Sequence, residues 1–143
     1  DFLAHAKPFY DKAGIREDSY ALLDELLKPR ITRFNEIEDK LAFVREYGDF
    51  DLSLFEHKKS KSTLDTSNAM LEPALAIIET ADWNREALGA AMTKLAEDNS
   101  VVMWPVRVAA AGVAVTPGGC SEVLLLLGRD ESVRRIKAAL KRL

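Results

Sequence analysis

Apolar positions in this 143-residue chain recur at intervals of three and four, and alternating strand-like runs are absent, so the pattern predicts helices throughout. The first helix runs from about Phe2 to Lys12, bent by Pro8 and closed near Gly14. A second opens at Asp18 or Ser19 and carries the stripe Tyr20, Leu22, Leu23, Leu26 and Leu27 until Pro29 breaks it. Asn35 reads as an N-cap and Glu38 as its capping-box partner, opening a helix through Arg45. Ile37, Leu41 and Val44 are spaced to form its buried face, with Phe43 beside them. Residues 47–53 form a connection, and Leu54 and Phe55 a short helical turn. The polar stretch from Glu56 to Ser62 is too polar to bury and marks a boundary between two small helical subdomains, 1–62 and 63–143.

The second half opens with a helix over about 63–80, on which Leu64, Met70, Leu71, Leu75 and Ile78 line one face and Pro73 sits inside. Asp82 or Asn84 caps the next, which runs to about Glu97 with Leu88, Met92 and Leu95 at helical spacing. Pro105 fits the first turn of a helix over Val106–Ala111, closed by Gly112. Thr116-Pro117-Gly118-Gly119 is a turn, Glu122–Leu127 a helix stopped by Gly128, and Asp130 the cap of the last helix. There Val133, Ile136, Ala139, Leu140 and Leu143 face inward while the Arg and Lys residues face out.

With 48% hydrophobic and 30% charged residues, the chain has enough apolar material for a core, which excludes a disordered reading. No stretch approaches the roughly 20 apolar residues that span a bilayer. The N-terminal run lacks the pattern of a signal peptide and begins without Met, as expected of a processed or truncated chain. The single cysteine, Cys120, forms no internal disulfide, and a reducing, cytoplasmic setting is expected. A net charge of −3 argues against a nucleic-acid binder until the charges are placed. Bases cluster at Lys28, Arg30 and Arg33, at Lys58, Lys59 and Lys61, and along the last helix. Such segregation lets an acidic domain bind RNA locally.

The chemistry of catalysis is sparse. His5 and His57 lack metal-ligand spacing, no carboxylate pair adjoins a His, and TPGG lacks the Lys of a phosphate loop. No catalytic or metal-ligating residue is therefore expected. Lys58-Lys59-Ser60-Lys61-Ser62 spells KKSKS, close to the KMSKS ATP loop of class I synthetases, but it follows no βαβ pattern and reads as a solvated basic connection. Trp83 and Trp104 read as core anchors rather than stacking platforms. The outstanding side chain is Arg107, a lone guanidinium in the nearly chargeless run Val101–Val115 and costly to bury without a partner. Arg30, directly after Pro29, is the second. Either it pairs with an acid on a helix surface, or the break presents it at the seam between the subdomains.

Four stretches, LLKPRITRFNEIEDKLAFV, LFEHKKSKS, LEPAL with DWNREAL, and above all VVMWPVRVAAAG with TPGG, LLGRDESVRRI, carry a resemblance over essentially the whole chain. The chain resembles the C-terminal, anticodon-binding region of bacterial glutamyl-tRNA synthetases. The resemblance implies an all-α anticodon-binding domain of class I synthetase type, in two helical parts. It implies that Arg30 contacts the third anticodon base, and that Arg107 works with Thr116, Pro117 and Gly118 around the other bases. It makes Lys58, Lys59 and Lys61 candidate contacts to the tRNA backbone. The implied partner is the anticodon loop of glutamate tRNA, bound by a monomer, with neither DNA nor membrane involved. ATP and magnesium belong to the parent ligase, and this chain holds no cofactor and no residue for the ligation chemistry. The GGCSE run departs from the family, which leaves Gly119 and Cys120 outside the carried-over contacts. Two rival readings stand beside this one: a helical protein-interaction module that docks through its basic last helix, and a small enzyme using Cys120.

Overall fold

The computed structural model describes residues 1–98 and 101–143. Its described part is helical, with a single isolated antiparallel bridge between His57 and Ser62. Helix α1 (Phe2–Ala13) runs unbroken through Pro8 and closes on Gly14, whose φ of 78° is the left-handed conformation that favours glycine. A 3-10 turn at Glu17–Ser19 leads into α2 (Tyr20–Leu27), which stops before Pro29 and buries Tyr20, Leu23, Leu26 and Leu27.

The predicted helix 35–45 is instead two short ones, α3 (Glu36–Lys40) and α4 (Ala42–Arg45), separated at Leu41. The break turns Phe43 inward beside Ile37 and Leu41, and leaves Val44 half-buried. Asn35 makes no side-chain cap. Glu36 instead ties down the chain ahead of the helix, one carboxylate oxygen accepting from the Thr32 and Arg33 N–H groups and the Thr32 hydroxyl. The three donors hold the Glu36 carboxyl below its usual pKa.

A 3-10 turn at Leu52–Phe55 buries Phe55. Helix α5 (Leu64–Thr80) starts at a Thr63–Thr66 capping box and buries Ser67, Leu71, Ala74 and Ile78. Leu64 is exposed, and Met70 and Leu75 only flank the buried stripe. Helix α6 (Arg85–Asp98) is capped by the Asn84 side chain and buries Leu88 and Met92. Helix α7 (Met103–Ala111) begins three residues before the predicted start, with Pro105 in its first turn where helix N–H groups have no partner anyway, and ends on Gly112. Helix α8 (Cys120–Leu127) and α9 (Arg129–Arg142) meet at Gly128. One apolar cluster joins Ala6, Tyr10 and Leu23 to Leu71, Met92, Val106, Leu124 and Ile136.

The last helix departs most from its amphipathic reading. Arg135 is 1% exposed and shares the inner face with Ser132, Ile136 and Ala139. Its guanidinium donates to the carbonyls of Phe43 (2.8 Å), Val44 (3.0 Å) and Ala110 (2.9 Å), and to Glu131 (2.8 Å). It also lies 4.5 Å from the centroid of the Tyr47 ring. These carbonyls end α4 and α7, where helices leave acceptors unfilled, so one side chain fastens three helices. Arg129 does the same for the end of α5 through Ile78 and Ala81, and Arg45 for the end of α1 through Lys12.

Bonds from Arg134 and Arg135 pull the Glu131 carboxyl down to about 2 from its usual 4.5. A carboxylate with a lowered folded-state pKa stabilises fully above its usual value and loses that contribution as the pH falls through the lowered one. A thermal-melt series should therefore show the domain weakening from pH 4.5 towards about 2, with Glu131→Gln flattening that part of the profile. An unchanged slope in the variant would place the acid sensitivity elsewhere.

Candidate functional site

Helix α7 is buried on nearly every side: Pro105, Val106, Val108, Ala109, Ala110 and Ala111 all face the interior. Arg107 is half-buried among them, and its Nη1 donates to the Thr116 hydroxyl at 2.9 Å. Thr116 Oγ1 donates to the Gly118 carbonyl at 2.7 Å, and the Gly118 N–H returns to the Thr116 carbonyl at 2.9 Å. The turn is thus tied across itself, with Pro117 buried beneath. Gly118 has a φ of 137°, and an added Cβ would lie 3.0 Å from the Glu122 Cβ and 3.2 Å from Leu26, so neither conformation nor space admits a side chain.

Among the described residues Arg107 has no acidic partner. Burial draws its pKa down from the usual arginine value, opposed only by the nearby Cys120. Glu122, the nearest acid along the turn, is committed elsewhere. It accepts from the Gly119 N–H at 3.0 Å and pairs with Arg85 at 3.4 Å. A half-buried guanidinium with most of its donors unfilled and no counter-charge is costly. It is what a site awaiting an acceptor-rich, polyanionic ligand needs.

Arg30 is exposed and has no ion-pair partner among the described residues, so the surface-pair reading fails. Its Nη1 bonds the Leu26 carbonyl, an open acceptor at the end of α2. The Leu26 side chain in turn packs against Gly118. Leu26 therefore links the Pro29–Arg30 step of the first half to the Thr116–Gly118 turn of the second.

Lys58, Lys59 and Lys61 are exposed on a tight turn closed by paired backbone bonds between His57 and Ser62 (3.0 and 3.1 Å). Lys61 takes a φ of 63°, rare for a side-chain-bearing residue. Ser62 is buried, contrary to its reading as part of an unburied run, because its hydroxyl meets the Ser67 hydroxyl at 3.2 Å. The His57 ring stacks on Trp104 with centroids 3.7 Å apart and planes 7° from parallel. Trp104 Nε1 donates to the Leu54 carbonyl, and the Arg107 guanidinium lies 4.8 Å from the Trp104 ring centroid. The lysine turn and Arg107 are thus joined through two rings that lie 47 positions apart in sequence, a contact no local pattern announces.

Both tryptophans pack on the core but stay half-buried, each beneath an arginine, Trp83 under Arg129 and Trp104 under Arg107. Gly119 is exposed and is the N-cap of α8, which starts at Cys120, two residues before its predicted start. Burial pushes the Cys120 thiol up to about 12, which removes it as a nucleophile near neutral pH. The described residues hold no group of three or more His, Cys, Asp or Glu side chains that could hold a metal ion. Among them no helix is long and apolar enough to cross a membrane. Arg129, Arg135 and Arg142 bond carbonyls within the fold, which leaves Arg134, Lys137 and Lys141 as the exposed bases of α9.

The family model for an anticodon binding domain matches residues 1–140. The glutamate–tRNA ligase of Clostridium novyi is 37% identical over the whole of this chain, which corresponds to 31% of that protein. Those of Clostridium acetobutylicum and Clostridium tetani are 33% and 31% identical, again over 100% of this chain and 31% and 30% of theirs. The chain spans just under a third of the length of these relatives. A crystal structure of a glutamate tRNA ligase from Elizabethkingia meningosepticum, in complex with its amino acid, has the same fold, with a TM-score of 0.78 at 20% identity. That match covers 97% of this chain and 28% of the other.

Proposed function

Because the chain belongs to the anticodon binding domain family, we propose that it recognises the anticodon loop of glutamate tRNA on behalf of a glutamate–tRNA ligase. The observation that carries the reading is Arg107, half-buried, unpaired by any acid among the described residues and fixed beside a rigid Thr116–Gly118 turn. Single-stranded loops are read by splaying bases out and bonding their Watson–Crick edges. A guanidinium fork held in a partly dry site suits the acceptors on such edges. Activation of glutamate with ATP and magnesium belongs, in this reading, to the part of the relatives that this chain does not span. The complex works in the cytoplasm with one copy of the chain per tRNA, and with neither DNA nor membrane as a partner.

Arg30 carries the choice of the third base. Cytosine offers O2 and N3 acceptors to its donors, whereas guanine presents N1–H and N2–H donors to a group that cannot accept. The mismatch leaves an unmade bond worth roughly 1–3 kcal/mol. Lys58, Lys59 and Lys61 meet the backbone phosphates. In a ligase carrying this domain, Arg30→Gln should narrow the preference for glutamate tRNA over a glutamine tRNA with G at the third anticodon position. Unchanged relative charging of the two tRNAs would remove Arg30 from the reading.

A further inference from the structure

Three exposed lysines share a turn with His57, whose ring stacks on Trp104, and a half-buried arginine lies over that tryptophan; none of the four cations has an ion-pair partner among the described residues. Glu56 precedes the turn in sequence without pairing to it. In a chain of net charge −3 this is a local concentration of uncompensated positive charge, the footprint of a polyanion site. The lysine turn is closed by the His57–Ser62 bridge and by the Lys61 N–H donating to the Lys58 carbonyl at 3.1 Å, and Lys61 takes a positive φ uncommon for a side-chain-bearing residue. The side-chain anchor is His57. Its Nδ1 accepts from the Ser60 N–H at 3.2 Å and meets the Ser60 hydroxyl at 2.8 Å, while its ring face rests on Trp104. Trp104 is fixed in its turn by its bond to Leu54 and carries Arg107.

We infer that the His57–Trp104 stack is a positioning device that holds the lysine turn and Arg107 at a fixed separation, so that one RNA strand meets both at once. This rests on the anticodon reading above and adds two residues to it, neither of which needs to touch a base. His57 sets the turn and Trp104 sets the distance. Phosphate contact by the lysines and base contact by Arg107 then become coupled, because a freely swinging turn would meet the phosphates only at an added entropic cost.

The test is a mutant cycle read by binding of the chain to a glutamate-tRNA anticodon stem-loop across a salt series. Replacing Lys58, Lys59 and Lys61 together with Ala should flatten the salt dependence by about 2 in the log–log slope, at roughly 0.7 per lost single-strand contact. His57→Ala, with all three lysines present, should produce most of that flattening and at least a fivefold weaker affinity. The lysine substitutions should then add little in the His57→Ala background. His57→Phe, which keeps a ring on Trp104, should restore the slope, a rescue that a simple loss of folding would not show. Equal thermal midpoints for the variants exclude unfolding as the cause. An unaltered slope in His57→Ala, or losses that multiply independently, would overturn the inference while leaving the anticodon reading intact. Failure of the unmodified chain to bind the stem-loop would overturn both.

Discussion

Replacing Arg135 with Met is expected to destabilise the domain more than any other single change on its surface-reading face, by about 3–5 kcal/mol, the range for removing one partner of a buried charged network. The apolar stem of Met fills much of the space, so the loss is not chiefly one of packing. It comes from the acceptors left behind: the Phe43, Val44 and Ala110 carbonyls lose the charged donor they share, and the bonds to Phe43 and Ala110 are buried. Glu131 also loses one of its two arginines. For a chain of this length the change corresponds to a fall in melting temperature on the order of 10 °C. Arg135→Lys should rescue only part of it, since an ammonium lacks the planar fork that reaches three carbonyls and a carboxylate together. A melting temperature within about 3 °C of the unmodified protein would show that the carbonyls find other donors.

Arg107→Leu should do the reverse, sparing stability and removing binding. The guanidinium is partly desolvated without a counter-charge, and burial already disfavours its charged form. Its one bond, to Thr116, is dispensable because that hydroxyl also donates to the Gly118 carbonyl. Leucine should therefore leave the melting temperature unchanged or raise it. Affinity for the anticodon stem-loop should fall roughly 10- to 100-fold, the equivalent of losing charged hydrogen bonds worth about 1.5–3 kcal/mol. Retained affinity in a stably folded Arg107→Leu protein would move the recognition site away from α7. A stability loss comparable to that of Arg135→Met would make Arg107 a second structural arginine.

The contrast between these two arginines shows what the sequence made legible. Arg107 stood out because its neighbours in the chain are apolar, and that local signal survives in the fold. Arg135 sits in a run of charges that looks like a solvated helix face, and its partners at 43, 44 and 110 come from other helices. Helix stops were readable where a single residue determines them, as at Gly14 and Gly112 with their left-handed φ values. Starts were less so. Asn35 is a good capping residue by type but makes no side-chain cap, and the Glu36 and Ile37 N–H groups bond the Arg33 and Phe34 carbonyls. The division at Leu41 was invisible because the apolar spacing across it suits one continuous helix. Phe43 is buried in the observed arrangement and Val44 is not. Of the candidate site, Arg30, Arg107 and the Thr116–Gly118 turn were singled out from the sequence, and in the fold Leu26 lies between Arg30 and Gly118 while Arg107 bonds Thr116. His57 and Trp104 were not, since one looked like a stray histidine and the other like a core anchor.

Whether this domain reads bases is decided by its binding to two anticodon stem-loops that differ only at the third anticodon base, C against G. Tighter binding to the C form, by roughly 5- to 100-fold for a discrimination of about 1–3 kcal/mol, is the predicted result, with the difference reduced in Arg30→Gln. Equal binding to both loops would contradict base reading and leave the domain a clamp on the RNA backbone.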